Sequence, residues 1–375
     1  MTDLMDNVFS QITPPGRGAV ATVACYGPDV VAIVDRCLRT AGRVALRDRP
    51  AASLAYGRWR VNSGLGEDLI VVPHSDDRLE IHCHGGNATV EVIAGVLIDH
   101  GMHQVPILDF ELSRGVGRWE AEQTVCLGQA PTQRTAKFVL RQTGLLSRWL
   151  SDLQSLIGTH EWSLATEKID GVLAWESFSQ HLIKPWSVVL CGRPNVGKSS
   201  LINRIAGFER AIVDDTPGTT RDVVSQLTAV DGWPICLLDT AGIRSETLDK
   251  VELAGISRSR EMIEQSDAVI GVFDASQPWD AIDQNLADDP GVDIVVFNKH
   301  DIEIPGERPD GLRVAAISGY GVPDLLNQLM SVLLPVEPTE EQPIPCHSSQ
   351  WKRLRLCRNA LAKRDAQQAL LDLLG

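Results

Sequence analysis

One short run near the middle of the 375-residue chain carries the clearest chemistry. It reads Gly192-Arg193-Pro194-Asn195-Val196-Gly197-Lys198-Ser199 and matches G-x-x-x-x-G-K-[ST] at each fixed position. Glycines allow the backbone N–H groups to turn inward around a polyphosphate, and a following helix adds positive partial charge at its N-terminus. We expect Lys198 to reach the β- and γ-phosphates, and the Ser199 hydroxyl to ligate Mg²⁺.

The sequence on both sides supplies the strand and the helix that such a loop requires. Residues 187–191 form a short, mostly apolar run with two β-branched valines, which is typical of a buried parallel strand. Residues 200–206 have the pattern of the first turns of a helix. With both in place, the motif indicates a nucleotide site and not a glycine-rich turn that binds nothing.

Three later motifs follow predicted strands and indicate which nucleotide binds. Asp239-Thr240-Ala241-Gly242 places a carboxylate near the Mg²⁺ hydration shell and a glycine N–H near the γ-phosphate. In Asn298-Lys299-His300-Asp301, the last carboxylate can accept hydrogen bonds from guanine N1 and N2, a donor pair that adenine lacks. Ser318-Gly319-Tyr320 would offer backbone N–H groups to the guanine oxygen. Their order predicts GTP as the ligand, and not ATP.

A polar, glycine-bearing loop lies between the phosphate loop and Asp239. It reads Asp215-Thr216-Pro217-Gly218-Thr219-Thr220-Arg221-Asp222, and a switch segment must fall here. We predict that Thr220 completes the Mg²⁺ shell when GTP is bound.

Composition restricts the class of protein. The chain is 43% hydrophobic and 22% charged, as is ordinary for soluble globular proteins, and its length predicts two or three domains. We find no apolar run near the ~18 residues that span a bilayer, and no signal peptide in residues 1–6. The eight scattered cysteines are typical of buried thiols in a reducing compartment. We therefore expect a cytoplasmic protein that does not enter a membrane.

The net charge of −14 argues against a general nucleic-acid coat, so an RNA partner would need a local basic patch. Residues 347–364 contain six Lys or Arg and no acid. A solvated helix face is the simpler interpretation, and the segment is nevertheless the best local candidate for RNA.

Changes of pattern divide the chain into four predicted parts. Residues 1–117 alternate short apolar runs with turns, as an α+β domain does. Residues 118–185 are helical, residues 186–335 alternate strands and helices around a parallel sheet, and residues 336–375 hold a linker and a second helical part. Strands are predicted at residues 19–25, 54–60, 68–72, 79–83, 187–191, 235–239, 268–274, 294–298 and 314–318, and helices of the first domain at residues 30–38 and 89–100.

Six runs together closely resemble the tRNA-modification GTPase family called MnmE or TrmE. They are Gln11-Ile12-Thr13-Pro14-Pro15-Gly16-Arg17-Gly18, Glu80-Ile81-His82-Cys83-His84-Gly85-Gly86, residues 192–200, Ala211-Ile212-Val213, Gly218-Thr219-Thr220-Arg221-Asp222, and Asp231-Gly232-Trp233-Pro234 leading into Asp239. The resemblance implies a multidomain α/β protein. A Ras-like P-loop GTPase domain, with a mostly parallel sheet and helices on both faces, would be inserted in a helical domain. An α+β folate-binding-like domain would precede both.

The resemblance also implies site residues. The predicted GTP-binding residues are Asn195, Val196, Gly197, Lys198, Ser199, Ser200, Thr219, Thr220, Asp239, Thr240, Ala241, Gly242, Asn298, Lys299, Asp301, Ser318 and Gly319. Where Ras-like proteins carry a water-orienting glutamine this chain has Ile243, and the family uses potassium as a built-in positive charge. The implied potassium ligands are Asn195, Asp214, Thr216 and Thr219, and the family's water-orienting acid falls on Glu252.

The chain departs from the family pattern at its expected folate contacts. Family members carry a basic residue where this chain has Ala24 and a lysine where it has Gly115, so that only Glu80 remains of three contacts. The chain also ends without the family's short cysteine-containing motif, and its second helical part is short. These departures predict weak or absent binding of formyl-tetrahydrofolate.

Two functional hypotheses stay open. One is a potassium-stimulated GTPase of tRNA wobble-uridine modification, acting as a homodimer through its N-terminal and GTPase domains, with tRNA and a flavin-dependent modification protein as partners. The other is a GTP-dependent molecular switch that regulates a partner and has lost the folate-dependent chemistry.

Overall fold

The computed structural model describes residues 7–16, 18–42, 44–60, 66–208, 225–239, 262–304 and 306–374. Contacts divide the chain into two compact units. The first comprises Met1–Gln129, Asp152–Ile169 and Cys346–Gly375, and the second comprises Ala130–Ser151 and Asp170–Pro345. Among the described residues, no helix is long and apolar enough to cross a membrane.

The first unit contains a sheet whose described strands are ordered β3-β4-β5-β6-β2-β1-β7. The strands are β1 (Val8–Gln11), β2 (Val20–Tyr26), β3 (Leu38–Thr40), β4 (Ala55–Trp59), β5 (Asp68–Ser75), β6 (Arg78–His84) and β7 (His103–Gln104). Neighbouring strands pair antiparallel, except that β1 and β7 are parallel. The four strands predicted in this part of the chain are confirmed, whereas β1, β3 and β7 were not predicted.

Side chains alternate between the two faces of this sheet, as the period of a strand requires. Leu79, Ile81 and Cys83 of β6 lie in a core that also includes residues of two helices, α1 (Val30–Cys37) and α2 (Asn87–Asp99). Both helices were predicted. On the other face, α3 (Ile107–Ser113) packs Phe110 against Val8 and Ala24. Glu80 and His82 project from β6 on this second face.

Three further helices of the first unit are α4 (Arg118–Gln129), α11 (Ser348–Ala362) and α12 (Ala366–Leu374). Arg353, one of the cations in the predicted basic segment, is buried and binds both carboxylate oxygens of Glu122. Its guanidinium also lies 4.8 Å from the ring centroid of Trp119. This cation therefore holds α11 to α4 and is not part of an exposed basic face.

The second unit contains a sheet whose described strands are ordered β13-β12-β11-β8-β10-β9. The strands are β8 (Trp186–Cys191), β9 (Ser225–Val230), β10 (Trp233–Asp239), β11 (Ala268–Asp274), β12 (Ile294–Asn298) and β13 (Leu312–Arg313). Pairing is parallel except between β9 and β10. The residues of α5 (Gln133–Gly158) and α6 (Trp162–Leu173) are divided between the two units. The other helices of this part are α7 (Glu176–Ser179), α8 (Lys198–Phe208), α9 (Ala281–Ala287) and α10 (Val322–Leu333).

The predicted strands at residues 187–191, 235–239, 268–274 and 294–298 are confirmed within two residues. The one predicted at residues 314–318 was wrong, because the strand there is β13 and ends at Arg313. Beyond it the Ala316 N–H donates to the Asn298 side chain, and Gly319 and Gly321 have positive φ, so the backbone turns instead of extending. Strand β9 was not predicted.

Candidate nucleotide site

The phosphate loop connects the end of β8 to the start of α8. Gly192 and Gly197 have φ values of +148° and +95°. A Cβ at the first would collide with the Val272 carbonyl oxygen, and one at the second with the Asn298 amide. Both positions therefore need glycine for conformation and for space. Asn195, exposed between them, has a left-handed backbone (φ 63°), which asparagine tolerates better than most residues.

The two residues predicted to act on phosphate and Mg²⁺ are held by protein groups. Lys198 is buried, and its Nζ donates to the carbonyl oxygens of Gly192 and Arg193, both at 2.9 Å. Ser199 Oγ donates to Asp239 Oδ2 at 2.6 Å. Asp239 ends β10, which lies parallel beside β8, so the sheet itself brings this carboxylate to the loop.

A hydroxyl beside a carboxylate is the oxygen donor set that Mg²⁺ prefers. Ser199 and Asp239 therefore fit a magnesium site at the end of the phosphate loop, where the ion would neutralise phosphate charge. Thr220, Thr240, Ala241 and Gly242 of the same predicted set lie outside the described residues. So do Asp214, Thr216, Thr219, Ile243 and Glu252.

Asn298 joins the phosphate loop to the segment after β13. Its Nδ2 donates to the Val196 carbonyl at 2.9 Å, and its Oδ1 accepts from the Ala316 N–H at 3.1 Å. Both ends of the buried amide are thus used within the protein. Asn298 holds two loops in register, which the sequence motif alone had assigned only to nucleotide contact.

The remaining base-recognition residues lie around a short 3₁₀ turn, His300–Ile302. Asp301 is exposed in this turn and is therefore accessible to a ligand. The His300 ring stacks on that of Tyr320, with centroids 5.2 Å apart, so the two predicted guanine segments are neighbours. Ser318 and Gly319 lie in the adjacent turn, where Ser318 Oγ accepts from the Tyr320 N–H at 3.3 Å.

Lys299 is fixed beside this turn by an ion pair. It has a left-handed backbone, and its Nζ lies 2.6 Å from Asp274 Oδ2. Burial opposes ionisation of Asp274, but hydrogen bonds from Lys299 and Ser276 outweigh it and lower the pKa of this carboxyl. The carboxylate therefore stays charged and holds the Lys299 ammonium group by this ion pair.

An ion pair that the sequence did not predict holds the outer part of the phosphate loop. Arg193 Nη2 lies 2.7 Å from both carboxylate oxygens of Asp280. Asp280 also caps α9 by accepting from the N–H groups of Ile282 and Asp283. The bond from Arg193 and these two N–H groups lower the pKa of Asp280. An aspartate before a short helix was the available signal, but nothing in the sequence indicated its partner.

Glu80, in the first unit, is surrounded by cationic or ionisable groups. Its Oε1 lies 3.2 Å from His74 Nε2 and 3.3 Å from Arg78 Nη2, and its Oε2 lies 3.5 Å from His82 Nε2. Ala24, which faces Glu80 across the β2–β6 ladder, is only 2% exposed.

The phosphate loop connects a buried parallel strand to a helix, and Ser199 at its end donates a hydrogen bond to Asp239. Asp301 lies next to the turn that contains Ser318 and Gly319. Together these features define a P-loop GTPase. Residues 187–299 match the family model described as 50S ribosome-binding GTPase. The tRNA modification GTPase MnmE of Geobacillus thermodenitrificans is 32% identical over 339 residues, covering 79% of this chain and 73% of that protein. The MnmE of Synechococcus sp. WH7803 is 32% identical over 364 residues, with 84% and 78% coverage. The chain therefore belongs to the MnmE family, and it is a GTP-binding and GTP-hydrolysing enzyme.

Among solved structures, Era in complex with MgGDPNP and a segment of 16S ribosomal RNA is 25% identical, with a TM-score of 0.33. The match covers 42% of this chain and 59% of the Era chain. The G domain of the T. maritima FeoB iron transporter is 21% identical, with a TM-score of 0.30, covering 40% of this chain and 99% of that one.

Proposed function

We propose that this GTPase is stimulated by potassium and serves tRNA wobble-uridine modification. The observation that carries the potassium part is Asn195, an exposed amide held in a left-handed turn at the outer end of the phosphate loop. This position suits an oxygen ligand for a cation next to the phosphates. The chain's relatives are named tRNA modification GTPases, which supports the second part.

The predicted site residues have distinct roles in this proposal. Lys198 would exchange its two carbonyl contacts for phosphate oxygens, which are stronger acceptors because they are charged. Ser199 and Asp239 would hold Mg²⁺, and Asp301 would read guanine N1 and N2. Glu252 would orient the attacking water.

A bound potassium ion would supply positive charge against the charge that develops on the transferred phosphoryl group. Asn195 would ligate it, together with oxygens from Asp214, Thr216 and Thr219. Ile243 cannot make the water-orienting hydrogen bond that a glutamine makes, so another residue has to orient the water, and we assign this role to Glu252.

GTP hydrolysis in potassium and in sodium at equal ionic strength tests this proposal. We expect faster turnover in potassium. The variant Asn195→Gly tolerates the left-handed backbone but lacks the amide oxygen, so it should lose the difference between the two salts. Equal rates for the parent protein in both salts would remove the potassium role.

The tRNA part is tested separately in the organism. Deletion of the gene should lower wobble-uridine modification, measured by mass spectrometry of tRNA nucleosides, and a wild-type copy should restore it. We further propose that the protein works in the cytoplasm as a homodimer with a flavin-dependent partner protein. Unchanged tRNA nucleosides after deletion would leave the GTPase assignment intact and reject this role.

One observation favours a second candidate function, a GTP-dependent switch without folate chemistry. At the position where the family carries a basic residue, Ala24 is packed among Val8 and Phe110. Gly115 offers no side-chain donor, and Glu80 already has three ionisable neighbours. These residues do not fit the anionic tail of formyl-tetrahydrofolate. Calorimetric titration with that cofactor should show no micromolar binding, and such binding would restore the full enzyme proposal.

A further inference from the structure

Arg204 is a polar residue of α8 that neither the phosphate chemistry nor the guanine carboxylate uses. Its Nε donates to the Ala316 carbonyl at 2.7 Å, and its Nη2 donates to the Ile317 carbonyl. Lys198 and Ser199 begin the same helix, about 9 Å away at the usual rise per residue. One helix thus carries the phosphate ligands and also Arg204, which holds the predicted guanine loop, residues 316–320, by two hydrogen bonds. We call these two bonds the clamp.

The clamp decides where the N–H groups of that loop point. In a trans peptide the N–H lies opposite the carbonyl. The Ile317 N–H shares its peptide with the Ala316 carbonyl, and the Ser318 N–H shares its peptide with the Ile317 carbonyl. Because Arg204 draws both carbonyls toward α8, both N–H groups are turned away from it.

Among the described residues, these two N–H groups differ from their neighbours because they have no protein acceptor. The Ala316 N–H donates to Asn298, the Gly319 N–H to Ala315, and the Tyr320 N–H to Ser318. Within the described part of the chain, the N–H groups of Ile317 and Ser318 have no hydrogen-bond acceptor. Two adjacent, outward-facing donors suit a ligand oxygen.

We propose that Arg204 is a positioning residue for guanine recognition, aiming the N–H groups of Ile317 and Ser318 at the base oxygen O6. The proposal rests on the assignment of this loop to guanine. It goes beyond it by naming an arginine on the phosphate-binding helix as the group that sets the specificity of the loop.

The test compares two diphosphates in the full-length protein, GDP and 2-aminopurine riboside 5′-diphosphate, which lacks O6. With Arg204→Met we expect GDP to bind about three- to tenfold more weakly, the loss typical of one hydrogen bond. The analogue should change less than twofold. The analogue also lacks the N1 proton that faces Asp301, but this loss is the same in both proteins and cancels in the ratio.

The variants are chosen so that misfolding cannot imitate this result. A cavity of about 410 Å³ borders Arg204, so methionine has room, and any inactive fraction affects both ligands equally. Arg204→Lys can still reach one carbonyl and should give an intermediate ratio. Arg134→Met is the control, because Arg134 binds the Asp231 carbonyl and Glu337, neither of which belongs to the guanine loop, and its ratio should equal that of the parent.

Equal weakening of both ligands in Arg204→Met, or no weakening of GDP, would overturn the positioning role. A lysine variant no better than methionine would also contradict it. Failure of the underlying assignment looks different. If neither this loop nor Asp301 read guanine, the parent protein itself would bind GDP and the analogue with equal affinity. If Asp301 alone read guanine, the parent would prefer GDP, but Arg204→Met would leave the ratio of the two affinities unchanged.

Discussion

Removing the Asn298 amide tests how strongly one buried side chain holds the loops of the nucleotide site together. The variant Asn298→Ala would leave the buried Val196 carbonyl and Ala316 N–H without their partner. An orphaned buried polar group costs about 1–3 kcal/mol, so the pair could cost about 2–6 kcal/mol. We expect about 2–4 kcal/mol, because two loops can relax toward water.

Hydrogen exchange followed by mass spectrometry is the suitable assay, because a chain with two compact units need not unfold in one step. In peptides from β8, α8 and β12, the free energy of protection should fall by about 2–4 kcal/mol. The protection of peptides from β2 and β6 in the first unit should not change. The affinity for GDP should fall by about tenfold or more, since each 1.4 kcal/mol is a factor of ten.

Two further variants sharpen the comparison. Asn298→Asp keeps an acceptor for the Ala316 N–H but turns a carboxylate oxygen toward the Val196 carbonyl, so at neutral pH it should be no milder than alanine. Asn327 is exposed on α10, and Asn327→Ala should stay within about 0.5 kcal/mol of the parent. If the loss of protection in Asn298→Ala were no larger than that in Asn327→Ala, the two hydrogen bonds would not be holding the loops.

Three other predictions concern separate parts of the chain. Asp301→Asn should weaken GTP binding and favour xanthosine triphosphate, whose ring reverses the hydrogen-bond pattern; unchanged GTP affinity would reject the guanine role. Glu252→Ala should slow turnover with little loss of GTP affinity, and hydrolysis at the parent rate would remove the catalytic role. Burial alone would raise the pKa of Glu122, but Arg353 and Ser349 outweigh it and lower that pKa. The stability that Glu122 contributes should therefore be complete above its unfolded pKa and lost as the pH falls through its lower folded pKa. Acid titrations of stability should show Glu122→Gln with a flatter dependence than the parent, and identical curves would contradict the pair's role.

Local patterns predicted much of this fold because they report on one segment at a time. The strands β8, β10, β11 and β12 were found from apolar runs, and Lys198 and Ser199 from a fixed spacing. Strand β9 was missed because its first three residues are exposed, so that the segment shows neither a buried run nor clear alternation. The strand predicted after Asp301 was misplaced because a side chain distant in sequence, that of Asn298, captures the Ala316 N–H.

Long-range partners were beyond sequence reasoning for a similar physical reason. Arg204 reads as an ordinary polar residue of a helix, and only the fold brings it to the carbonyls of Ala316 and Ile317. Arg353 looked like part of a solvated basic face, yet it pairs with Glu122, 231 residues earlier in the chain. A charge pattern along one helix cannot show which cations the tertiary structure neutralises.

The described residues of the nucleotide site are held in place by other protein groups. Lys198 donates to two carbonyl oxygens, and Ser199 donates to Asp239. For Lys198, binding would replace neutral acceptors by charged phosphate oxygens, and the gain in affinity comes from that charge. Asn298 and Arg204 hold the loops through contacts to protein carbonyls, and such contacts lower the cost of ordering the loops on binding. Changes in Asn298, Arg204 and Asp301 should therefore act on affinity and base selectivity. Turnover should respond instead to Glu252 and to the proposed potassium ligands, because they act on charge and water that matter only in the chemical step.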